Sequence, residues 1–291
     1  MILVTGATGQ LGGIVVENLL KKVAASEIAV LVRDAAKAEH LAAQGIEVRV
    51  GSYFDKASLA SALQGIEKVL LISSNDFNDR LGQHKNVVDA AKNAGVEHIL
   101  YTGVAMKDIN ASPLQPLLGD HFQTEDYIKE SGLTYTFLQN NLYFEVIPMF
   151  VGAGVLETGI FFPAGEGKVA FASRQELGEA TATILTTNGH ENKAYPLTGS
   201  EAYSFGEIAA ELSTLSGKNV PYISPEPAAF EGALKQFGLP EGIILMSVLF
   251  AAGIKNDDLA QSSPVLETIL GRKTTPLSVF LKEAFALETA L

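Results

Sequence analysis

Three glycines at positions 6, 9 and 12, in the run Thr5-Gly-Ala-Thr-Gly-Gln-Leu-Gly12, are the residues of this chain best placed to do chemistry. An apolar run, Ile2 to Val4, precedes them, and Leu11, Val15, Val16, Leu19 and Leu20 follow at helical spacing. Strand, glycine turn and helix together make an anion site. Gly6 permits a tight turn, Gly9 lets backbone approach a diphosphate with no Cβ between, and Gly12 lets the helix lie close on the sheet. The helix start then turns free N–H groups and the positive end of its dipole toward the phosphates. Gly6, Ala7, Thr8, Gly9, Gln10 and Leu11 are therefore the expected cradle for a dinucleotide. A glycine triplet alone is weak, because such a turn can bind nothing. Its place between a strand and a helix, with five more strand–helix units behind it, makes it specific.

Two further groups sit at predicted strand ends. Arg33 comes first after the second strand, where an acidic residue would favour NAD and a basic one accepts the 2′-phosphate of NADP. A guanidinium pairs bidentately with phosphate, so NADP is the expected cofactor. The bland alternative is a surface Arg paired with Asp34 or Glu39. Asn140, Asn141 and Tyr143 follow the sixth strand, at the carboxyl edge that opens onto a ligand crevice. Asn140 is assigned to the cofactor and Asn141 to the substrate, while Tyr143 could stack on a flat aromatic acceptor. An Asn there can equally be a helix cap.

The elements that must position these residues alternate. Apolar runs at 1–5, 28–32, 46–50, 67–72, 97–101 and 134–139 read as buried parallel strands. Helical patterns fall at 10–22, 35–44, 57–64, 80–94 and 114–132. The pattern predicts an α/β fold, a doubly wound parallel sheet of Rossmann type over residues 1–150. Beyond it, glycines and prolines from 148 to 167 make a turn-rich passage. A helix near 174–187, a strand near 193–197, a helix near 204–216 and a mostly helical 225–291 follow. Residues 151–291 are expected to form a smaller substrate region packed against the first. Phe144, Phe150, Phe161, Phe162 and Phe171 could line an apolar pocket, although such a set is more often core.

Composition narrows the partners. A net charge of −12 opposes nucleic-acid binding, which needs a basic face. With no cysteine, disulfides, thiolate metal sites and a catalytic thiol are excluded, and a cytoplasmic home is the expectation. The five histidines show no metal-ligand spacing. No signal peptide is expected, since no basic segment precedes Ile2. The apolar stretch Ile243 to Ile254 falls well short of the ~20 residues of a membrane span. It reads as a buried helix or as the face of a homodimer.

The wording of several segments carries a resemblance. Thr5 to Gly12, Val30-Leu-Val-Arg-Asp34, Gly51-Ser-Tyr-Phe-Asp55, Ala90 to Gly103, His121-Phe-Gln-Thr-Glu125 and Thr134 to Tyr143 resemble the atypical short-chain dehydrogenases/reductases of the NmrA-like subgroup. His190 to Leu197 and Gly271 to Pro276 extend the likeness over nearly the whole chain. Within the subgroup it is similar to bacterial NADPH-dependent quinone reductases and triphenylmethane reductase. The resemblance implies that Ser73 and Ser74 contact the cofactor, that Thr102 is the hydroxyl nearest the usual serine, and that Arg174 in Ser173-Arg-Gln-Glu-Leu177 reaches the substrate. The family's catalytic Tyr and Lys are missing: aligned on Glu125, their positions hold Leu117 and His121. Alcohol–ketone chemistry is thereby disfavoured, whereas hydride delivery to a strong electrophile needs chiefly positioning. His121 is then the candidate proton donor or nicotinamide-orienting group, with Tyr143 beside it. The implied activity is NADPH-dependent reduction of quinones or similar conjugated aromatic electrophiles. The competing reading is a non-catalytic NADP(H)-binding redox sensor.

Overall fold

The computed structural model describes residues 1–287. Its strands are β1 (Ile2–Thr5), β2 (Ile28–Val32), β3 (Glu47–Val50), β4 (Lys68–Leu71), β5 (His98–Val104), β6 (Thr134–Asn140), β7 (Ile160–Phe161), β8 (Lys168–Val169), β9 (Lys193–Leu197), β10 (Tyr203–Ser204) and β11 (Tyr222–Ile223). The longer helices are α1 (Gln10–Leu19), α2 (Glu39–Ala42), α3 (Lys56–Ala62), α4 (Arg80–Ala94) and α5 (Gln115–Ser131) in the first half. Then come α6 (Ile147–Val151), α7 (Val155–Thr158), α8 (Arg174–Thr186), α9 (Phe205–Ser216), α10 (Pro227–Gln236), α11 (Glu241–Lys255), α12 (Val265–Leu270) and α13 (Leu277–Ala284).

Among the described residues, seven strands form one sheet in the order β3-β2-β1-β4-β5-β6-β9, and every pairing in it is parallel. Strands buried on both faces must be apolar throughout, and β2, Ile-Ala-Val-Leu-Val, is buried at each position. Alternate residues serve opposite faces. Leu3, Leu71, Tyr101 and Phe137 pack with Leu59, Val87, Val88 and Ile128 of α3, α4 and α5. Val4, Leu70, Leu100 and Leu138 pack with Val15, Val16 and Leu19 of α1 and with Leu177, Ala180 and Ile184 of α8. The winding reverses between β1 and β4, which makes their carboxyl ends the crevice of a doubly wound sheet.

Local differences from the sequence reading have local causes. The helix expected over 35–44 is a 3₁₀ turn, Ala35–Ala38, followed by the four-residue α2, because the Asp34 carboxylate caps the turn at Ala36 N–H. β5 runs to Val104, not 101, since its pairing with β6 continues to Val104 opposite Asn140. Thr102 therefore lies inside the strand, opposite Leu138. The chain also recrosses the expected boundary at 150: β9 joins the sheet beside β6, and α8 packs on α1. The remaining C-terminal residues surround a separate core containing Phe144, Phe162, Phe171 and Phe205. Phe150 packs against that core, while Phe161 is exposed, so the Phe set is mostly structural. On α11, Ile244, Ala251 and Ile254 are buried, while Ile243 and Leu245 stay exposed. No helix among the described residues is long and apolar enough to cross a membrane.

Candidate cofactor and active site

A cavity of about 670 Å³ runs across the carboxyl edge of the sheet. Its lining follows the strand order. Gly51, Ser52, Tyr53 and Phe54 stand after β3, and Arg33 and Lys37 after β2. Gly6, Thr8, Gly9, Gln10, Leu11 and Gly12 form the floor after β1. Ser73, Ser74, Asn75 and Asp76 follow β4, and Thr102 lies on β5. Tyr143 and Arg174 close the far end.

The glycine turn is built as its spacing requires. Gly6 has φ +62°, in the left-handed region. A Cβ on Gly12 would lie 2.2 Å from the Gly6 carbonyl oxygen, so only glycine allows α1 to start this close to β1. The helix start is also left open. Asp55, Asp79, Ser173 and Ser204 cap α3, α4, α8 and α9 with side-chain oxygens, but α1 begins at Gly9 with no side-chain cap and no acidic residue in its first turn. Its N–H groups are thus available to an anion. Ala7 does not line the cavity; its side chain is buried in the α1 core, so only its backbone belongs to the turn.

At the β2 end, Arg33 is exposed and, among the described residues, makes no ion pair with Asp34 or Glu39; Asp34 accepts from Ala36 N–H at 3.0 Å. Lys37, one turn further on, adds a second cation to the same wall. The sequence reading passed over Lys37, although its spacing from Arg33 across a short turn was visible. Tyr53 was missed as well. Its buried hydroxyl bonds to Ile72 O at 2.9 Å and to the Thr5 hydroxyl, tying β1 to β4 beneath the cleft. Burial raises its pKa.

The loop after β4 is held by its neighbours. Ser73 N–H donates to Thr102 Oγ1 at 2.8 Å, and Ser74 N–H donates to His84 Nε2 at 3.0 Å. The second bond requires a neutral His84, with its proton on Nδ1 beside Thr124 Oγ1 at 2.9 Å. Burial, reinforced by the Arg80 charge, lowers the His84 pKa to about 3.

Beyond β6 the assigned residues separate. Tyr143 faces the cavity, with the Arg174 guanidinium over its ring at 4.4 Å. Glu145 lies 3.7 Å from that guanidinium and accepts from Arg174 N–H at 3.0 Å. Burial raises the Tyr143 pKa, so its hydroxyl stays protonated. Asn140, read as a cofactor residue, is 4 % exposed and does not line the cavity; its side chain lies against Tyr143. Asn141, read as a substrate residue, does not line the cavity. Its Nδ2 donates to Leu259 O at 2.9 Å and its Oδ1 accepts from Leu142 N–H at 2.7 Å, so it braces the exit of β6.

His121 also lies off the cavity wall. Its Nδ1 is 2.8 Å from the Tyr101 hydroxyl, and burial, with the charge of Arg80 and then His84, lowers its pKa to about 3. A ring that is neutral throughout the physiological range is a poor source of the proton expected of it.

A model of the NmrA-like family matches residues 1–281. The chain belongs to the NmrA-like family. This NmrA-like chain is 44% identical to quinone oxidoreductase 2 of Escherichia coli K12 over 98% of its own length and 99% of the relative's. The structure of E. coli NADPH-dependent quinone oxidoreductase in complex with NADPH superposes with a TM-score of 0.93 at 42% identity, covering 98% of this chain and 100% of that one. The NADP(H) complex of Citrobacter sp. triphenylmethane reductase does so with a TM-score of 0.91 at 40% identity, again covering 98% and 100%. The α/β Rossmann fold and the family resemblance read from the sequence are both borne out.

Proposed function

We propose that this protein is an NADPH-dependent reductase that transfers a hydride to quinones or similar conjugated electrophiles. The observation that carries the reading is the cleft itself. An uncapped helix start and a glycine floor meet it at the middle, two unpaired cations stand at one end, and a Tyr–Arg stack stands at the other. NADPH fits those residues, and the relatives named quinone oxidoreductase and triphenylmethane reductase support the acceptor class.

When bound, the reduced nicotinamide supplies the hydride. The chain positions and excludes. Arg33 and Lys37 take the 2′-phosphate, the latter as a point charge and the former as a fork. Gln10 and Leu11 offer backbone N–H groups to the diphosphate, the Gly9 N–H being spent on Gly6 O at 2.9 Å, and Ser73, Ser74 and Thr102 supply polar contacts beyond it. Asn140 does not line the cavity and backs Tyr143 from within the fold. Tyr143 presents a flat face for a planar acceptor and holds a proton on its hydroxyl for the acceptor oxygen, while Arg174 fixes the ring. His121, off the cavity and neutral, is not the donor. Arg174, from beyond residue 150, closes the acceptor end of the cleft. A cytoplasmic home and a homodimer belong to the same reading; exposed Ile243 and Leu245 on α11 are where a second copy would pack.

The test is to mix catalytic amounts of protein with NADPH and a panel of quinones and follow nicotinamide absorbance. Acceptor-dependent loss of absorbance is expected. NADPH binding with no turnover on any acceptor would favour the sensor instead.

A further inference from the structure

Gln83 is the conspicuous polar residue of the cleft that the assignments above leave without work. It sits in the first turn of α4, lines the cavity beside Ser74, Asn75 and Asp76, and is 3 % exposed. Its Nε2 has no hydrogen-bond partner among the described residues. The groups flanking it in sequence are engaged. Arg80 Nη1 reaches Asp120 at 2.8 Å and Leu117 O at 3.0 Å, and His84 bonds Ser74 N–H and Thr124. Asn86, one turn on, donates to Tyr53 O at 2.9 Å. Buried amide donors are seldom left unpaired, and one that lines a binding cavity has an obvious reason to be.

We propose that Gln83 is a cofactor ligand whose side-chain amide hydrogen-bonds a ribose oxygen of the bound dinucleotide. The strand order sets the position. Residues at the carboxyl ends of β3, β2, β1, β4, β5 and β6 meet the cavity in that sequence, so Gln83, on the first turn of the helix that follows β4, stands in the middle. The 2′-phosphate end is taken by Arg33 and Lys37, and the acceptor end by Tyr143 and Arg174. What lies between them on a dinucleotide is diphosphate and ribose. The α1 start already serves the diphosphate, which leaves sugar oxygens for Gln83. This inference rests on reading the cleft as the NADPH site.

The experiment compares wild type with Q83L and Q83N by titrating NADPH calorimetrically, by steady-state kinetics with one quinone, and by thermal unfolding without cofactor. A cofactor ligand predicts an NADPH Kd raised about tenfold in Q83L, from loss of one hydrogen bond in a buried site. The KM for quinone stays at its wild-type value. The cofactor-free Tm of Q83L matches or exceeds wild type, because an apolar side chain replaces an unpaired donor. Q83N, with its amide withdrawn by one methylene, also binds NADPH more weakly. Wild-type NADPH affinity in either variant overturns the proposal, and so does a cofactor-free Tm that falls in Q83L, since the amide would then be serving the fold. If wild type itself takes up no NADPH, the reading of the cleft fails, and the proposal fails with it.

Discussion

Arg33 shows what one side chain can decide here. Among the described residues its guanidinium has no carboxylate partner, and Asp34 beside it accepts from Ala36 N–H. A free fork at a strand end holds a phosphate dianion through charge-assisted bonds. Arg33→Ala is expected to weaken NADPH binding by about tenfold to a hundredfold while leaving NADH binding nearly unchanged; equal losses for both cofactors would rule out this role. The buried imidazoles predict a different effect. His84 and His121 titrate near 3 in the folded protein against 6.5 when unfolded. Between those values the unfolded chain binds more protons, so stability is full above about pH 6.5 and is lost as pH falls toward 3. Each ring can contribute a slope of up to about 1.4 kcal/mol per pH unit in that window. Asp120 and Glu125, whose pKa values burial raises, act in the opposite sense. The readout is therefore the difference between variants: Tm measured from pH 8 to pH 5 should fall less steeply in His84→Gln than in wild type. Parallel curves would show that the ring is already protonated in the fold.

At the scale of elements, α8 links the site to the end of the chain. Arg174 opens the helix at the cavity, and two residues on Glu176 is 1 % exposed. Its Oε1 takes Arg272 Nη1 at 2.8 Å and Thr275 N–H at 2.7 Å. Glu179 receives the other arm of the same guanidinium at 2.6 Å. Two sequence segments recognised separately, Ser173 to Leu177 and Gly271 to Pro276, are thus one joint. Removing the guanidinium strands a buried carboxylate, although Arg272 itself is half exposed and its contribution is screened. Arg272→Ala should therefore cost about 2 kcal/mol in chemical denaturation. The KM for the acceptor should rise as the start of α8 loosens. Full stability in this variant would mean that solvent reaches Glu176.

Across the whole molecule, the cleft lies where two bodies of structure meet. The sheet has apolar layers on both faces, and the C-terminal phenylalanines form a third core. The junction is pinned by Asn141 to Leu259 O and by Ser112 to Asp258, so the exit of β6 and the approach to α5 both hold the 258–259 turn. A ligand spanning six strand connections stabilises the native state alone. At a hundredfold excess over its Kd, NADPH should add about 2.7 kcal/mol, which corresponds to a Tm rise of roughly 4–5 °C for a chain of this size. NADH at the same concentration should add less. Scanning calorimetry with each cofactor checks this, and no shift with NADPH would sink the assignment of the cleft.

The alternation of strands and helices, the glycine turn and the basic strand end were legible because each depends on neighbours a few residues apart. Continuous apolar strand runs, a φ of +62° at Gly6 and a cation beyond β2 are local properties, and the sequence by itself determined the fold class and the family. Tertiary structure decided the rest. His121 and Asn141 have side chains suited to chemistry, but burial neutralises one and hydrogen bonding to Leu259 O occupies the other. Gln83 and Lys37 look like ordinary helix and turn residues in the sequence, and only packing turns them into cavity wall. Whether a polar group is spent internally or left free for a ligand depends on partners up to 146 residues away, and that no local pattern encodes.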